Sequence, residues 1–197
     1  MPSPRQPAIP DYAACLELMA RHQMPEHVAR HSRVVCALAL YLTCELGKQG
    51  LKLNHELVRA SGLLHDITKR HSFNRSLDHA LTGAKLLKKL GYGPVALVVR
   101  QHVRLSSARP PGRISEVEVV NYADKRVVND EVTSLAERFV YIKNRYASTE
   151  EARAYIDLYT SQILQLEKEI FDIIPGGPDQ LLHLGLDHDR IAGIIEP

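Results

Sequence analysis

Apolar residues recur at spacings of three and four along almost the whole chain, and strict alternation of apolar and polar residues is nearly absent. This periodicity is typical of amphipathic α-helices and not of half-buried strands. Capping residues and helix breakers divide the pattern into helices that we expect at about 11–22, 25–47, 54–66, 78–91, 94–102, 117–128, 133–146 and 148–173. Pro110, Pro111 and Gly112 predict a loop over residues 104–114. The sequence therefore predicts an all-α fold.

Composition excludes several classes of protein. The 197 residues are 45% hydrophobic and 24% charged, which is ordinary for a globular domain and excludes intrinsic disorder. A net charge of +2 gives no broad basic field, so dedicated nucleic-acid binding is not expected. No apolar run is long enough to span a membrane, and the first ten residues lack the apolar core of a signal peptide. We therefore expect a cytoplasmic protein.

Histidine is the one residue type in excess, with ten among 197 residues, and it is the commonest metal ligand in proteins. His65 and Asp66 are adjacent and follow a small, apolar stretch, Gly62-Leu63-Leu64. A carboxylate in such surroundings must be paired or must bind a cation. Imidazole and carboxylate together suit iron, manganese, zinc, cobalt or nickel. The pair predicts a metal site, although ordinary hydrogen bonds at a helix end would also explain it.

Four further residues join this pair as candidate ligands. His31 and Asp124 fall on the apolar faces of two other predicted helices. His79 and His102 lie at the start of one predicted helix and the end of the next, beside apolar runs. A satisfied core histidine, a capping aspartate or a bond to a loop carbonyl would explain each of them singly. A second His-Asp dipeptide, at 188–189, lies in a polar tail and carries no such context.

The order of these residues on successive helices resembles the HD-domain superfamily of metal-dependent phosphohydrolases. The phrases HSRVVCALAL, LLHDITK, HALTGAKLLKKLGY, VVRQH and NYADKRV are similar to its ligand segments. The resemblance covers residues 25–130 and implies an HD-domain helical bundle there. We expect residues 1–24 to add an N-terminal helix that packs on this core. Residues 131–197 would add C-terminal helices that complete the domain or mediate dimerisation, so a homodimer is an open expectation.

The resemblance also implies the roles of individual residues. His31, His65, Asp66 and Asp124 would hold one metal, and His79 and His102 a second one that shares Asp66. One or two divalent transition metals (Fe, Mn, Co, Ni or Zn) are thus expected, with no organic cofactor. The metals would activate a hydroxide for attack on phosphorus, with Asp66 and Lys69 as catalytic residues. Candidate substrate-binding residues are Lys69, Arg70, Arg75, Arg104 and Lys125.

The chain departs from the family pattern in two places, and the first departure excludes one subclass of the family. The paired histidines and GYP signature of the subclass that cleaves cyclic dinucleotides are missing, and Thr68 replaces the usual glycine of HDIGK. The leading expectation is hydrolysis of a phosphate ester or anhydride in a dinucleoside polyphosphate, a mononucleotide or a small phosphorylated metabolite. One alternative is a di-iron oxygenase that acts on a small polyol or phosphonate. The other is a regulatory or binding module that holds a metal.

Overall fold

The computed structural model describes residues 9–72, 78–106 and 112–196, and within these ranges the regular secondary structure is almost all helix. The helices are α1 (Tyr12–Arg21), α2 (Glu26–Lys48), α3 (His55–Leu64), α4 (Lys69–Ser72), α5 (His79–Lys89), α6 (Gly93–Arg100), α7 (Glu116–Lys125), α8 (Leu135–Tyr146), α9 (Glu150–Phe171) and α10 (His188–Ile195). A 3₁₀ helix spans Pro178–His183, and two short strands, β1 (Val127–Val128) and β2 (Glu131–Val132), complete the described elements. The predicted all-α fold is confirmed. No helix among the described residues is long and apolar enough to cross a membrane.

Two local expectations are corrected, and a third lies partly outside the described residues. The helix predicted over 117–128 ends at Lys125, and the chain then forms an antiparallel hairpin in which Val127 pairs with Val132. The turn of this hairpin contains Asn129 at φ +54°, a left-handed conformation that asparagine tolerates better than most residues. The predicted third helix ends at Leu64 instead of residue 66, and residues 65–68 form a turn. The loop predicted over 104–114 lies partly outside the described residues.

Side-chain caps fix where most of the helices begin. Asn54 caps α3 and Asp78 caps α5, each carboxyl or amide oxygen accepting backbone N–H groups of the first turn. Ser115 and Glu118 form a capping box at the start of α7. Thr149 caps α9. These caps fix where the helices begin, and the candidate ligands His65, His79 and Asp124 lie on or directly after α3, α5 and α7.

The core forms around α2, which packs against α3, α7 and α10. The tightest crossing is between α2 and α3, where a Cβ atom added to Gly62 would lie 2.8 Å from the Cα atom of Cys36. Since real Cβ contacts are never this short, only glycine allows α3 to approach α2 so closely. Gly62 is one turn before His65, so this crossing also sets the distance of the His-Asp pair from His31 on α2.

A buried ion pair joins the C-terminal helices to α7. The guanidinium of Arg126 is 1% exposed, and its Nη1 atom lies 2.9 Å from Oε2 of Glu167 on α9. The same nitrogen bonds the hydroxyl of Tyr122, and Nη2 donates to the carbonyl oxygen of Pro178. Together with the burial of Ile163 and Leu166, this network holds α9 against α7. The domain boundaries expected at residues 24 and 130 stay predictions.

Replacing Gly62 with alanine tests the helix crossing. We expect Gly62→Ala to lower the free energy of unfolding by about 1–3 kcal/mol, because the added methyl group overpacks the α2–α3 contact. Thermal unfolding followed by circular dichroism should show a fall of several degrees in Tm. Gly47→Ala is the matched control, since nothing lies within 4 Å of a Cβ atom there. Equal melting of the two variants would contradict the close crossing.

Candidate metal centre

Six side chains from five separate segments converge beside the core. Four of them are histidines, one is the aspartate that follows α3, and one is the aspartate near the end of α7. They are His31, His65, Asp66, His79, His102 and Asp124. All are buried except His79, whose side chain is 29% exposed. The structure therefore brings together every residue that the sequence predicted as a metal ligand.

Backbone carbonyl groups orient three of the four imidazole rings. The hydrogen bonds run from Nδ1 of His31 to Asn129 O (2.6 Å), of His65 to Gly62 O (2.8 Å) and of His102 to Val99 O (2.7 Å). Because a carbonyl oxygen can only accept, each Nδ1 atom must carry the proton. In a ring that carries only this proton, the Nε2 atom directs a lone pair into the cluster, as in histidines that bind metals.

The Asp66 carboxylate lies between two groups of donor atoms. Its Oδ2 atom is 3.4 Å from Nε2 of His65, whereas Oδ1 is 3.5 Å from Nε2 of His79 and 3.6 Å from Nε2 of His102. On the other side, Oδ1 of Asp124 lies 3.1 Å from Nε2 of His31. The candidate ligands thus form two groups of three: His31, His65 and Asp124, and Asp66, His79 and His102.

Two buried atoms in this cluster have no hydrogen-bond partner among the residues that the structure describes, namely Nε2 of His65 and Oδ1 of Asp66. Buried polar atoms are nearly always satisfied in folded proteins, so such atoms indicate a missing partner. The donor set of nitrogen and carboxylate oxygen atoms suits a divalent transition metal. These residues therefore fit one or two such ions, with Asp66 placed to serve both groups.

Protonation states also favour cation binding. Burial lowers the pKa of His79 to about 4 and lowers that of His102, so both imidazoles are neutral at pH 7. Burial acts to raise the pKa of Asp66, but the charges of His65 and Lys69 hold it well below its usual range. Burial acts in the same way on Asp124, and Lys125 is the main group that keeps the pKa of this carboxyl low. Both carboxylates are therefore ionised.

A cavity of about 760 Å³ opens onto the cluster, which is within the usual range for small-molecule sites. Asp66, His79, His102 and Asp124 form one wall. The facing wall comes from α8 and α9 and is largely apolar and aromatic. Its residues are Ile142, Tyr146, Ala152, Tyr155, Ile156 and Tyr159.

Two of the predicted substrate-binding lysines lie at the inner edge of this cavity. The Nζ atom of Lys69 is 2.5 Å from Oδ2 of Asp66, and burial, which lowers its pKa, is outweighed by that carboxylate, so the pKa is raised. Lys125 is buried, donates to the carbonyl oxygen of His102 and pairs with Asp124. Burial lowers the pKa of Lys125 although the Asp124 carboxylate acts against this shift, so Lys69 is the more firmly protonated of the two lysines.

The three predicted arginines have different outcomes. Arg104 lines the cavity, and its guanidinium lies 4.9 Å from the centre of the Tyr155 ring. Arg70 is exposed, bonds the side chain of Gln23 at 2.9 Å and does not line the cavity. Arg75 lies outside the described residues.

Sequence reasoning missed the contribution of α8 and α9. Arg138 lines the cavity with its Nη2 atom 3.8 Å from Oδ1 of Asp124, and the tyrosines of the facing wall were not candidates either. The family resemblance ends near residue 130, so no motif marked these positions. One signal was available: arginine and tyrosine occupy positions of α8 where a helix that only packs would carry aliphatic residues.

Metal analysis of single variants tests the centre. We expect the protein to hold two transition-metal equivalents by inductively coupled plasma mass spectrometry, and His79→Ala to lower this toward one. His65→Ala should lower the metal content as well, because its Nε2 atom lies between both carboxylates. His188→Ala is the matched control, since it alters the exposed His-Asp pair at 188–189 and should keep both metals. Retention of two metals in His79→Ala would contradict the assignment of Asp66, His79 and His102 as a second metal site.

Comparison with known proteins agrees with this geometry. The sequence profile of the HD domain matches residues 28–129, slightly more than half of the chain. Ribonuclease Y of Thermosipho melanesiensis is 30% identical over 148 residues, which are 66% of this chain and 27% of that protein. Ribonuclease Y of Thermotoga maritima is 28% identical over 190 residues, 86% of this chain and 35% of that one. The chain thus spans about a quarter to a third of the length of these curated relatives.

A solved structure described as a predicted HD superfamily hydrolase, from an uncultured Thermotogales bacterium, aligns with a TM-score of 0.46 and 20% identity. The alignment covers 83% of this chain and 93% of that one. The assignment does not depend on this likeness, because the profile match encloses five consecutive ligand segments in the expected order. The chain therefore belongs to the HD-domain family, the superfamily of metal-dependent phosphohydrolases that its motifs resemble.

Proposed function

We propose that the protein hydrolyses a phosphate ester or anhydride in a nucleotide or another small phosphorylated metabolite. The observation that carries this proposal is the juxtaposition, on one cavity, of two groups of candidate metal ligands and four basic side chains. These are Lys69, Arg104, Lys125 and Arg138. Phosphoryl transfer is catalysed mainly by positive charge that is positioned in advance around the phosphorus atom.

The metals, when bound, would supply Lewis acidity to a nucleophilic water and to the phosphoryl oxygens. Lys69 would then act on the substrate from the edge of the centre. Its Nζ atom is tied to Asp66 by a charged hydrogen bond, so the ammonium is held near the reacting phosphate with little loss of side-chain entropy on binding. In this position Lys69 can donate to a phosphoryl oxygen or to the leaving group.

Arg138 and Lys125 would act from the opposite side, next to Asp124. A guanidinium can donate two parallel hydrogen bonds to a phosphate, which fixes the orientation of the group as well as its position. The Nε atom of Arg138 is buried and has no hydrogen-bond partner among the described residues. That unmet donor supports a role for Arg138 in holding an oxyanion. Lys125 bonds the carbonyl oxygen of His102 and pairs with Asp124.

The tyrosine-rich wall supports a nucleotide as substrate. Aromatic side chains provide surfaces on which a base can stack, and each such contact contributes about 1–3 kcal/mol. Tyr155 is 43% exposed and therefore available to a ligand. The curated relatives are ribonucleases by name, so phosphodiesters of RNA belong among the substrates to be tested. A cytoplasmic location and a homodimer stay predictions.

A substrate panel tests the proposed reaction. Protein loaded with Mn, Fe, Co, Ni, Zn or Mg should release phosphate or nucleotide from at least one mononucleotide, dinucleoside polyphosphate or short RNA, and chelation should abolish the activity. Lys69→Met should lower kcat at least tenfold without loss of metal, because a positioned charge is removed. Lys85→Met is the control, since Lys85 is exposed on α5 and lies outside the cavity.

Two other outcomes would overturn the proposal. Oxygen consumption by the iron-loaded protein with a small polyol or phosphonate, without phosphate release, would identify the di-iron oxygenase. No turnover with any metal would favour a regulatory or binding module in which the metal has a structural role.

Substitution of Tyr155 tests the nucleotide assignment. Tyr155→Ala should raise KM for a nucleotide about tenfold, as expected for the loss of one stacking contact. The KM for a phosphate ester without a base, such as glycerol phosphate, should change little. Leu158→Ala provides the control, because Leu158 is 63% exposed on the same helix and does not line the cavity. Equal effects of Tyr155→Ala on both substrates would argue against base stacking.

A further inference from the structure

A second cavity, of about 490 Å³, adjoins the one that contains the candidate metal centre. It lies between the start of α2, the β1–β2 turn and α8. The two cavities share Lys69, Arg138, Ile142 and Tyr146, so they are two compartments of one cleft. The second compartment reaches the centre at His31 and contains neither His79 nor His102. We call it the α8 pocket.

The face of helix α8 that lines this cleft is rich in arginine and tyrosine. Its cleft-lining residues are Arg138, Tyr141, Ile142, Arg145 and Tyr146. Their spacing of three and four places them on one stripe of the helix. Only Leu135 and Phe139 of α8 are buried in the core. A helix that served only packing would place aliphatic residues on this stripe, so its arginines indicate a ligand that carries negative charge.

The charges of the residues that line the α8 pocket also indicate a negatively charged ligand. Four cationic side chains line it, namely Arg30, Lys69, Arg138 and Arg145, whereas Asp130 is the only carboxylate among its described lining residues. Asp130 pairs with Arg30 at 3.1 Å. The Arg145 guanidinium lies 5.8 Å from the centre of the Tyr146 ring, which holds it at the rim without neutralising it. Lys69 and Arg138 already pair with Asp66 and Asp124 of the candidate centre, so the surplus of positive charge in the pocket comes from Arg145.

The two compartments differ in what they can accept. The first presents Tyr155, Ile156 and Tyr159, which suit an apolar and planar group. The α8 pocket presents guanidinium groups, which suit phosphate oxygens. Lys69 and Arg138 lie at the boundary between them, beside the candidate metal ligands. A substrate whose reacting phosphate occupies this boundary would extend its base into one compartment and any second charged group into the other.

We propose that the α8 pocket is a subsite for a phosphate group that is not cleaved, and that Arg145 selects substrates carrying two or more phosphates. This inference rests on the proposed function, because it takes the reacting phosphate to lie at the centre. The second phosphate has two chemical sources. It is either the next group of a polyphosphate chain or the phosphate on the neighbouring position of a nucleic-acid strand.

Binding measurements on the metal-loaded protein test the subsite. Isothermal titration calorimetry would compare adenosine 5′-monophosphate with two ligands that carry a second phosphate. The α,β-methylene analogue of adenosine 5′-diphosphate represents a polyphosphate chain, and adenosine 3′,5′-bisphosphate represents a strand. We expect at least one of the two to bind at least tenfold more tightly than the monophosphate, and the tighter one identifies the source.

Variants of Arg145 separate the pocket from the metals, which also attract a second phosphate. Arg145→Met should reduce the preference for two phosphates to less than threefold, and Arg145→Lys should keep part of it. Lys143→Met is the matched control: it removes the same charge from the same helix, but Lys143 pairs with Asp157 and lies outside the pocket. Since Arg145 is exposed, its replacement should leave the thermal unfolding of the protein unchanged.

The outcomes distinguish this inference from the proposed function. Equal affinity for one and two phosphates, or an equal loss for both in Arg145→Met, overturns the subsite whatever the substrate panel shows. A preference that depends on Arg145, together with no hydrolysis of any phosphate compound, supports the subsite as a binding site and overturns the proposed reaction alone.

Discussion

Two carboxylates buried in an apolar helical bundle, Asp66 and Asp124, are the constraint on which the rest of the site depends. An ionised carboxylate away from water is tolerated only if opposite charge or hydrogen-bond donors surround it. Lys69 and Lys125 each pair with one of them, and Arg138 approaches the second from α8. Even so, Oδ1 of Asp66 has no hydrogen-bond partner among the described residues. The fold thus leaves one buried carboxylate oxygen without a donor, and a bound metal ion would satisfy it.

The sequence predicted the candidate ligands well because their positions are encoded locally. Each lies on or beside a helix whose apolar spacing and cap fix its rotation, and the order of the motifs carries the family resemblance. His31, His65 and His102 also bond carbonyl groups that hold their rings in place. Two of these carbonyls lie only three residues before their histidine, whereas that of Asn129 comes from the hairpin. This turn escaped prediction because two-residue strands are too short to show a periodicity.

The substrate side of the site could not be predicted in the same way. Arg138 and Tyr155 reach the cavity because α9 packs against α7 and α8 packs against α9, which is a tertiary arrangement without a local signal. Arg70, in contrast, was predicted to bind substrate because it follows Lys69, but its side chain bonds Gln23 and does not reach the cavity. Charge near a motif therefore did not identify the substrate contacts, because the direction of a side chain depends on elements distant in sequence.

The buried Arg126–Glu167 pair has a consequence for how this protein can diversify. It secures α9 to α7 from within, so the exposed cleft residues of α8 and α9, such as Tyr146 and Tyr155, are not needed for this attachment. The ligands, in contrast, belong to elements up to α7. Substitutions on the cleft face of the C-terminal helices could therefore accumulate between lineages and retune substrate choice while the metal ligands remain unchanged. The residues that determine the reaction and the residues that determine the choice of substrate thus lie in separate parts of one chain.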